Sequence, residues 1–198
     1  MDITDFISNF PFDISTSEPW KITSEIKERI ETLIQQLDSE FDIENGIAIH
    51  KTATIEKGVT MKAPLIINAH CRIGAHSYFR EGVFLGTYVN IGPSSEIKSS
   101  IICSESAIAH MNYVGNSIIG SRVNFEAGSI AANHYNERDN KEISIKYKGE
   151  IQSTGLNKFG SIVGDDSKIG ANAVLSPGTI LEKRSVVKRL ELVDQISI

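Results

Sequence analysis

From Ile49 onward the chain repeats itself every six residues. Positions 49, 55, 61, 67, 73, 79, 85, 91 and 97 are Ile, Ile, Met, Ile, Ile, Phe, Leu, Ile and Ile, all large and apolar. In a chain that is 40% hydrophobic, chance supplies such a run in only a few frames in ten thousand, an order-of-magnitude figure. Two places before each of these stands a small or medium residue: Ile47, Ala53, Val59, Leu65, Cys71, Ser77, Val83, Val89 and Ser95. A period of six is a parallel β-helix: each hexad is a short strand and a corner, three hexads close one triangular coil, and the large aliphatic stacks inward on its equivalent one coil on. The register slips by one near residues 98–102 and again near 115–119, continuing as Ile102, Ile108, Val114, Ile119 and Phe125. It resumes as Val163, Ile169, Leu175, Leu181 and Val187 after an interruption over 134–160, HYNERDNKEISIKYKGEIQSTGLNKFG, rich in charge and turn residues. An insertion of that length in a compact domain is usually functional, a lid or an arm over a neighbour.

Residues 1–45 do not share the period. There Ile22, Ile26, Ile30, Leu33, Ile34 and Leu37 recur at helical spacing, predicting one amphipathic helix whose start Thr23 or Ser24 could cap. The expected organisation is a helical cap over 1–45 and an all-β domain over 46–198 carrying the inserted loop 134–160. A net charge of −5 leaves no global basic field for nucleic acid, so any anion site must be local. The two cysteines, Cys71 and Cys103, lack zinc or disulfide spacing, and no metal is expected. His70 and His76 take equivalent places on successive faces, but no third histidine completes a ligand set. No leader pattern or bilayer-spanning stretch is visible, so a cytoplasmic protein without membrane insertion is expected.

Coil arithmetic also places charge. Residues 18 apart lie above one another at a spacing of about 4.8 Å, and one position carries Lys62, Arg80 and Lys98 with no acid at the same position between them. Such a ladder is either a solvated edge or a site where an anion turns mutual repulsion into shared attraction.

The stretches FREG (79–82), EIKSS (96–100), AIAHMNYVGN (107–116), VNFEAGSIAAN (123–133) and NKFGSIVGDD (157–166) resemble the acetyltransferase domain of bifunctional N-acetylglucosamine-1-phosphate uridylyltransferase/glucosamine-1-phosphate acetyltransferases. YKG, STG, NKFGSIVGD and LSPG are more similar still to archaeal-type sugar-phosphate nucleotidylyltransferases that carry an acetyltransferase domain. The resemblance implies a left-handed β-helix, a homotrimer with sites between subunits, and acetyl-CoA as co-substrate. It also makes His110 the general base, and Arg80, Lys98, Tyr113, Asn124 and Lys158 the ligands of the sugar phosphate. On the donor side it points to the main-chain N–H near Ala127 and to Ala171, where the family has a serine. The chemistry asks for these types, since an amine attacks a thioester only when neutral and histidine is suited to take its proton near neutral pH.

Departures from the family pattern fall mostly on the donor side: Ala171 replaces the serine, NFEAGS stands where the family has NIGAGT, and the chain stops soon after Val187. The short helical segment occupies the place of a uridylyltransferase domain, so nucleotidyl transfer is not expected. The expected function is N-acetyl transfer from acetyl-CoA to the amine of an amino-sugar phosphate or nucleotide-linked amino sugar. The alternatives are a longer-chain acyltransferase of the lipid A type that uses an acyl carrier, and a non-catalytic sugar-phosphate-binding scaffold.

Overall fold

In a computed structural model, residues 1–13 and 18–196 are described. The repeat folds as a left-handed parallel β-helix of hexapeptide coils with three faces. On the first face lie Ile47–His50, Leu65–Ile67, the second half of Tyr78–Leu85, and their successors up to Thr179–Leu181. The second face is a seven-stranded sheet running from Thr54–Ile55 to Val186–Val187. On the third stand Thr60–Met61, Tyr78–Arg80, Glu96–Lys98, Tyr113–Gly115, Ile130–Ala131, Val174–Leu175 and Leu192–Val193.

Pairing registers reproduce the coil arithmetic. Ile67 lies beside Leu85 eighteen residues on, whereas Leu85 lies beside Ile102 and Ile102 beside Ile119, each only seventeen on. These shortened coils are the two slips read from the sequence. Every sixth-residue aliphatic from Ile67 to Val187 joins one buried internal column, and Ile49, Ile55 and Met61 pack partly buried at its first end. Corners turn through left-handed backbone even where no glycine stands: His70, Tyr88, Met111, Arg122 and Leu190 all have φ between 56° and 62°. Such residues resist that region, so the stacking of the coils on either side must hold it.

The N-terminal segment departs from a single helix. α1 (Pro19–Ser24) and α2 (Ile26–Ile34) meet at Glu25, with Pro19 opening α1 and no side chain capping either start. Thr23 and Ser24 do not cap. Their hydroxyls donate back to the carbonyls of Trp20 and Lys21, at 2.9 and 2.8 Å, and such back-bonding competes with helix propagation. The apolar stripe nonetheless lands as expected, with Ile22, Ile26 and Ile30 fully buried. Phe41–Glu44 then runs antiparallel to Ile47–His50 and covers the exposed edge of the first coil.

Between residues 134 and 160 the chain is not an irregular loop throughout. Ile143–Tyr147 and Glu150–Leu156 form an antiparallel hairpin. Together with α1, α2 and the 3-10 turn Ile3–Asp5, it packs on the first face in a second core. There Ile3, Phe6, Trp20, Ile143 and Phe159 meet the outward residues Ile66, Ile101, Ile118, Ile162 and Ile180. The sequence carried a signal for this. Leu65-Ile66-Ile67, Val83-Phe84-Leu85 and Thr179-Ile180-Leu181 are apolar on both sides of the strand, the pattern of a sheet covered on both faces. Asp165 ties the covering down: its carboxylate accepts from the Ser8 and Ser121 main chains at 2.9 and 2.8 Å, and its own N–H donates to the Phe6 carbonyl at 2.9 Å.

Candidate active site

The residues singled out from the sequence fall into two groups at two different corners of the prism. At the corner between the third and first faces stand Arg80 and Lys98, paired Cα to Cα on adjacent strands. The cation ladder is therefore real. Its counter-charges come from neighbouring positions rather than from the ladder itself. Arg80 reaches Glu96 at 2.7 Å and Glu81 at 2.6 Å, and the Lys98 ammonium lies 3.3 Å from Glu81. Mutual repulsion is thus offset inside the chain before any anion arrives. Eighteen-residue counting could have found Glu96, since it sits directly beside Tyr78, two residues before Arg80.

Lys98 is only 4% exposed. Burial pushes its ammonium below the ordinary lysine range, Lys158 and Arg80 add to that, and Glu81 pulls the other way. Tyr113 begins the next strand of the third face; burial, reinforced by the Glu96 charge, raises its phenol above the usual tyrosine value. Behind it Asn133 donates to Asn116 at 2.7 Å, a buried amide pair that the sequence did not announce. Lys158, after the hairpin, is exposed and close enough for its charge to act on Lys98. These four residues can hold a compact anion through one buried cation, two further cations and a phenol.

His110, Ala127, Ala171 and Asn124 lie elsewhere, around the corner between the second and third faces. His110 is exposed, not a core histidine, and its ring has no hydrogen-bond partner among the described residues. What is fixed is its backbone: the His110 carbonyl accepts from the Gly128 N–H at 3.0 Å and from the Asn112 amide at 3.2 Å. The Ala127 N–H has no acceptor among the described residues, whereas the Ala171 N–H donates to Glu126 at 2.8 Å. Of the two donor-side positions, only Ala127 therefore offers a free N–H to a developing oxyanion. Asn124 is exposed on the second face, between Ala107 and Lys168, and is not part of the Arg80 cluster.

Burial pushes the Cys71 thiol up to about 11 and raises Cys103 further, so neither offers a thiolate at neutral pH. His70 stacks on Tyr88 with ring centroids 4.6 Å apart. Among the described residues no three His, Cys, Asp or Glu side chains gather as metal ligands, and no helix is long and apolar enough to cross a membrane.

Family comparisons agree with this architecture. Residues 43–152 match the GMPPB C-terminal domain, and residues 161–188 match the hexapeptide repeat of succinyl-transferase. A bifunctional sugar-1-phosphate nucleotidylyltransferase/acetyltransferase of Sulfurisphaera tokodaii is 34% identical over 166 residues, covering 81% of this chain and 41% of that protein. The bifunctional protein GlmU of Methanococcus vannielii is 34% identical over 183 residues, covering 89% of this chain and 43% of the relative. GlmU of Buchnera aphidicola subsp. Schizaphis graminum is 36% identical over 121 residues, 61% of this chain and 22% of its own length. The chain thus spans less than half the length of these relatives. With the family model matching more than half of its residues and the coils folded as that repeat requires, the chain belongs to the left-handed β-helix hexapeptide-repeat family of the GMPPB C-terminal domain.

Proposed function

We propose that this chain is an N-acetyltransferase that moves an acetyl group from acetyl-CoA to the amine of an amino-sugar phosphate or nucleotide-linked amino sugar. The observation that carries the reading is His110: an exposed imidazole with a held backbone and a free ring, one corner of the prism away from a partly buried cation cluster. The names of the Sulfurisphaera and Methanococcus relatives point to the same chemistry.

In this reading Arg80, Lys98, Tyr113 and Lys158 hold the sugar phosphate, and Asn124 contacts the substrate from the second face. The acceptor nitrogen forms a bond to the thioester carbonyl carbon while His110 takes its proton. The carbonyl oxygen, now anionic, faces the Ala127 N–H. Collapse expels the thiolate of CoA, which leaves with a proton, and no covalent enzyme intermediate is needed.

Because the two groups occupy different corners, a complete site calls for more than one subunit. We assign the assembly to a homotrimer. The first face is covered by the chain's own helices and hairpin, so partners would meet the remaining surfaces. There Met111, Ile130, Leu190 and Leu192 expose 68%, 37%, 79% and 64% of their area, an apolar strip suited to a subunit contact.

Release of CoA thiol with glucosamine 1-phosphate as acceptor tests the reading. His110→Ala should lose on the order of 10²–10⁴-fold in rate while acceptor binding persists. Equal rates in variant and wild type would remove His110 from the mechanism.

A further inference from the structure

Arg80 borders a cleft of about 520 Å³ lined also by Lys27, Lys62, Tyr78, Glu81 and Glu96. Around it the charges are unevenly matched. Glu81 and Glu96 serve Arg80, and Glu81 serves Lys98. Among the described residues neither Lys27 nor Lys62 has a carboxylate within salt-bridge distance. The Lys62 ammonium instead lies 5.4 Å from the centre of the Tyr78 ring.

Lys27 arrives from outside the β-helix, and its place is built in. α2 rests directly on the strand at Gly82, where φ is +89° and an added Cβ would come 2.8 Å from Ile26 and 3.3 Å from the Lys27 Cγ. Only glycine meets both demands, the left-handed backbone and the close approach. The helical segment therefore delivers a fourth cation to the cleft, beside the Arg80 rung.

Size then limits the ligand. From Lys62 to Lys98 the ladder spans two strand spacings, roughly 9–10 Å. A single phosphoryl group held by Arg80, Lys98 and Tyr113 leaves Lys62 and Lys27, which line the cleft, uncompensated. We propose that Lys27 and Lys62 form a second phosphoryl subsite, so that the acceptor is a nucleoside-diphosphate-linked amino sugar rather than a sugar 1-phosphate. The assignment of an acceptor rests on the acetyl-transfer reading; the subsite itself rests on the cleft.

Two measurements separate them. The first compares kcat/KM for UDP-glucosamine and glucosamine 1-phosphate with acetyl-CoA. Wild type should favour the diphosphate at least tenfold, and the Lys27→Ala/Lys62→Ala double variant should lose that preference by a tenfold or greater change, mostly in KM. A wild-type preference for glucosamine 1-phosphate, or a ratio unmoved by the double variant, would overturn the proposal. The second is calorimetry with inorganic pyrophosphate and phosphate, which needs no turnover. Pyrophosphate should bind more tightly than phosphate in wild type and lose that advantage in the double variant, whose fold circular dichroism checks. If pyrophosphate behaves so but neither sugar is acetylated, the subsite stands and the acetyl-transfer reading falls. If glucosamine 1-phosphate is acetylated while pyrophosphate binds no tighter than phosphate, the subsite falls and the reading stands.

Discussion

The two corners that carry the candidate residues are built in opposite ways. At the centre of the Arg80 corner the charges are answered from within the chain: Glu81 engages both Arg80 and Lys98, Glu96 engages Arg80, Lys98 is buried, and Asn133 closes on Asn116, while Lys27 and Lys62 stand at its margin. At the His110 corner the ring and the Ala127 N–H find no partner among the described residues, and Met111 and Leu190 stand out into solvent in left-handed backbone. A region that satisfies its own polar groups is preorganised for a ligand, because little reorganisation remains when the ligand binds. One that leaves them open, beside exposed apolar area, is suited to completion by a second surface.

Breaking the open corner should have the largest effect. Met111→Asp combined with Leu190→Asp places two carboxylates on the apolar strip. Light scattering should then report monomers in place of trimers, with acetyl transfer reduced at least tenfold and the monomer's circular dichroism unchanged. A trimer that survives both charges would move the interface elsewhere.

The closed corner should respond in stability, with a sign that depends on which partner is removed. Lys98 has a folded-state pKa below its unfolded value, so the unfolded chain binds the extra proton and burial of the charged form costs stability below that range. The cost fades as pH rises through the folded pKa toward the unfolded one. Lys98→Met should therefore raise stability near pH 7 by about 1 kcal/mol, with the advantage over wild type shrinking as pH rises toward the unfolded lysine value of about 10.4. Glu81→Gln should act the other way, leaving Lys98 buried without its carboxylate, and lower stability by about 1–2 kcal/mol. Urea denaturation at pH 7 and at pH 10 reads both, and a Lys98→Met protein less stable than wild type at pH 7 would contradict this account.

The smallest effect sharpens the contrast. Arg189 pairs with Glu126 at 2.7 Å on the exposed side of the open corner. Arg189→Ala should leave the denaturation midpoint within error, because solvent and salt screen such a pair. A resolvable loss would mean that this corner, too, is organised by its own charges.

How far the sequence reached can be followed residue by residue. The inward column was legible because a period of six admits one face to the core, and even the two five-residue steps showed as shifts in the aliphatic frame. The cation ladder was legible by the same counting. Glu81 and Glu96 were overlooked as partners because they occupy neighbouring positions, and whether long side chains cross between rungs depends on how the corner bends. The helix of residues 22–37 was visible as a stripe, but its break at Glu25 was not, because a stripe reports burial and says little about hydroxyls that turn back on the preceding carbonyls. His110 could be singled out by its company but not placed, since its exposure follows from the corner geometry.

By itself, then, the sequence determined the coil, its three faces and the order of the charged rungs, because these follow from local periodicity and strand spacing. Only the tertiary structure decided which face the chain covers with its own helices and hairpin. It also decided that Lys27 joins the ladder from a segment more than thirty residues before Lys62, and that the proposed base and the proposed phosphate ligands stand at separate corners. Those outcomes depend on contacts between segments distant in sequence, whose packing the period does not encode.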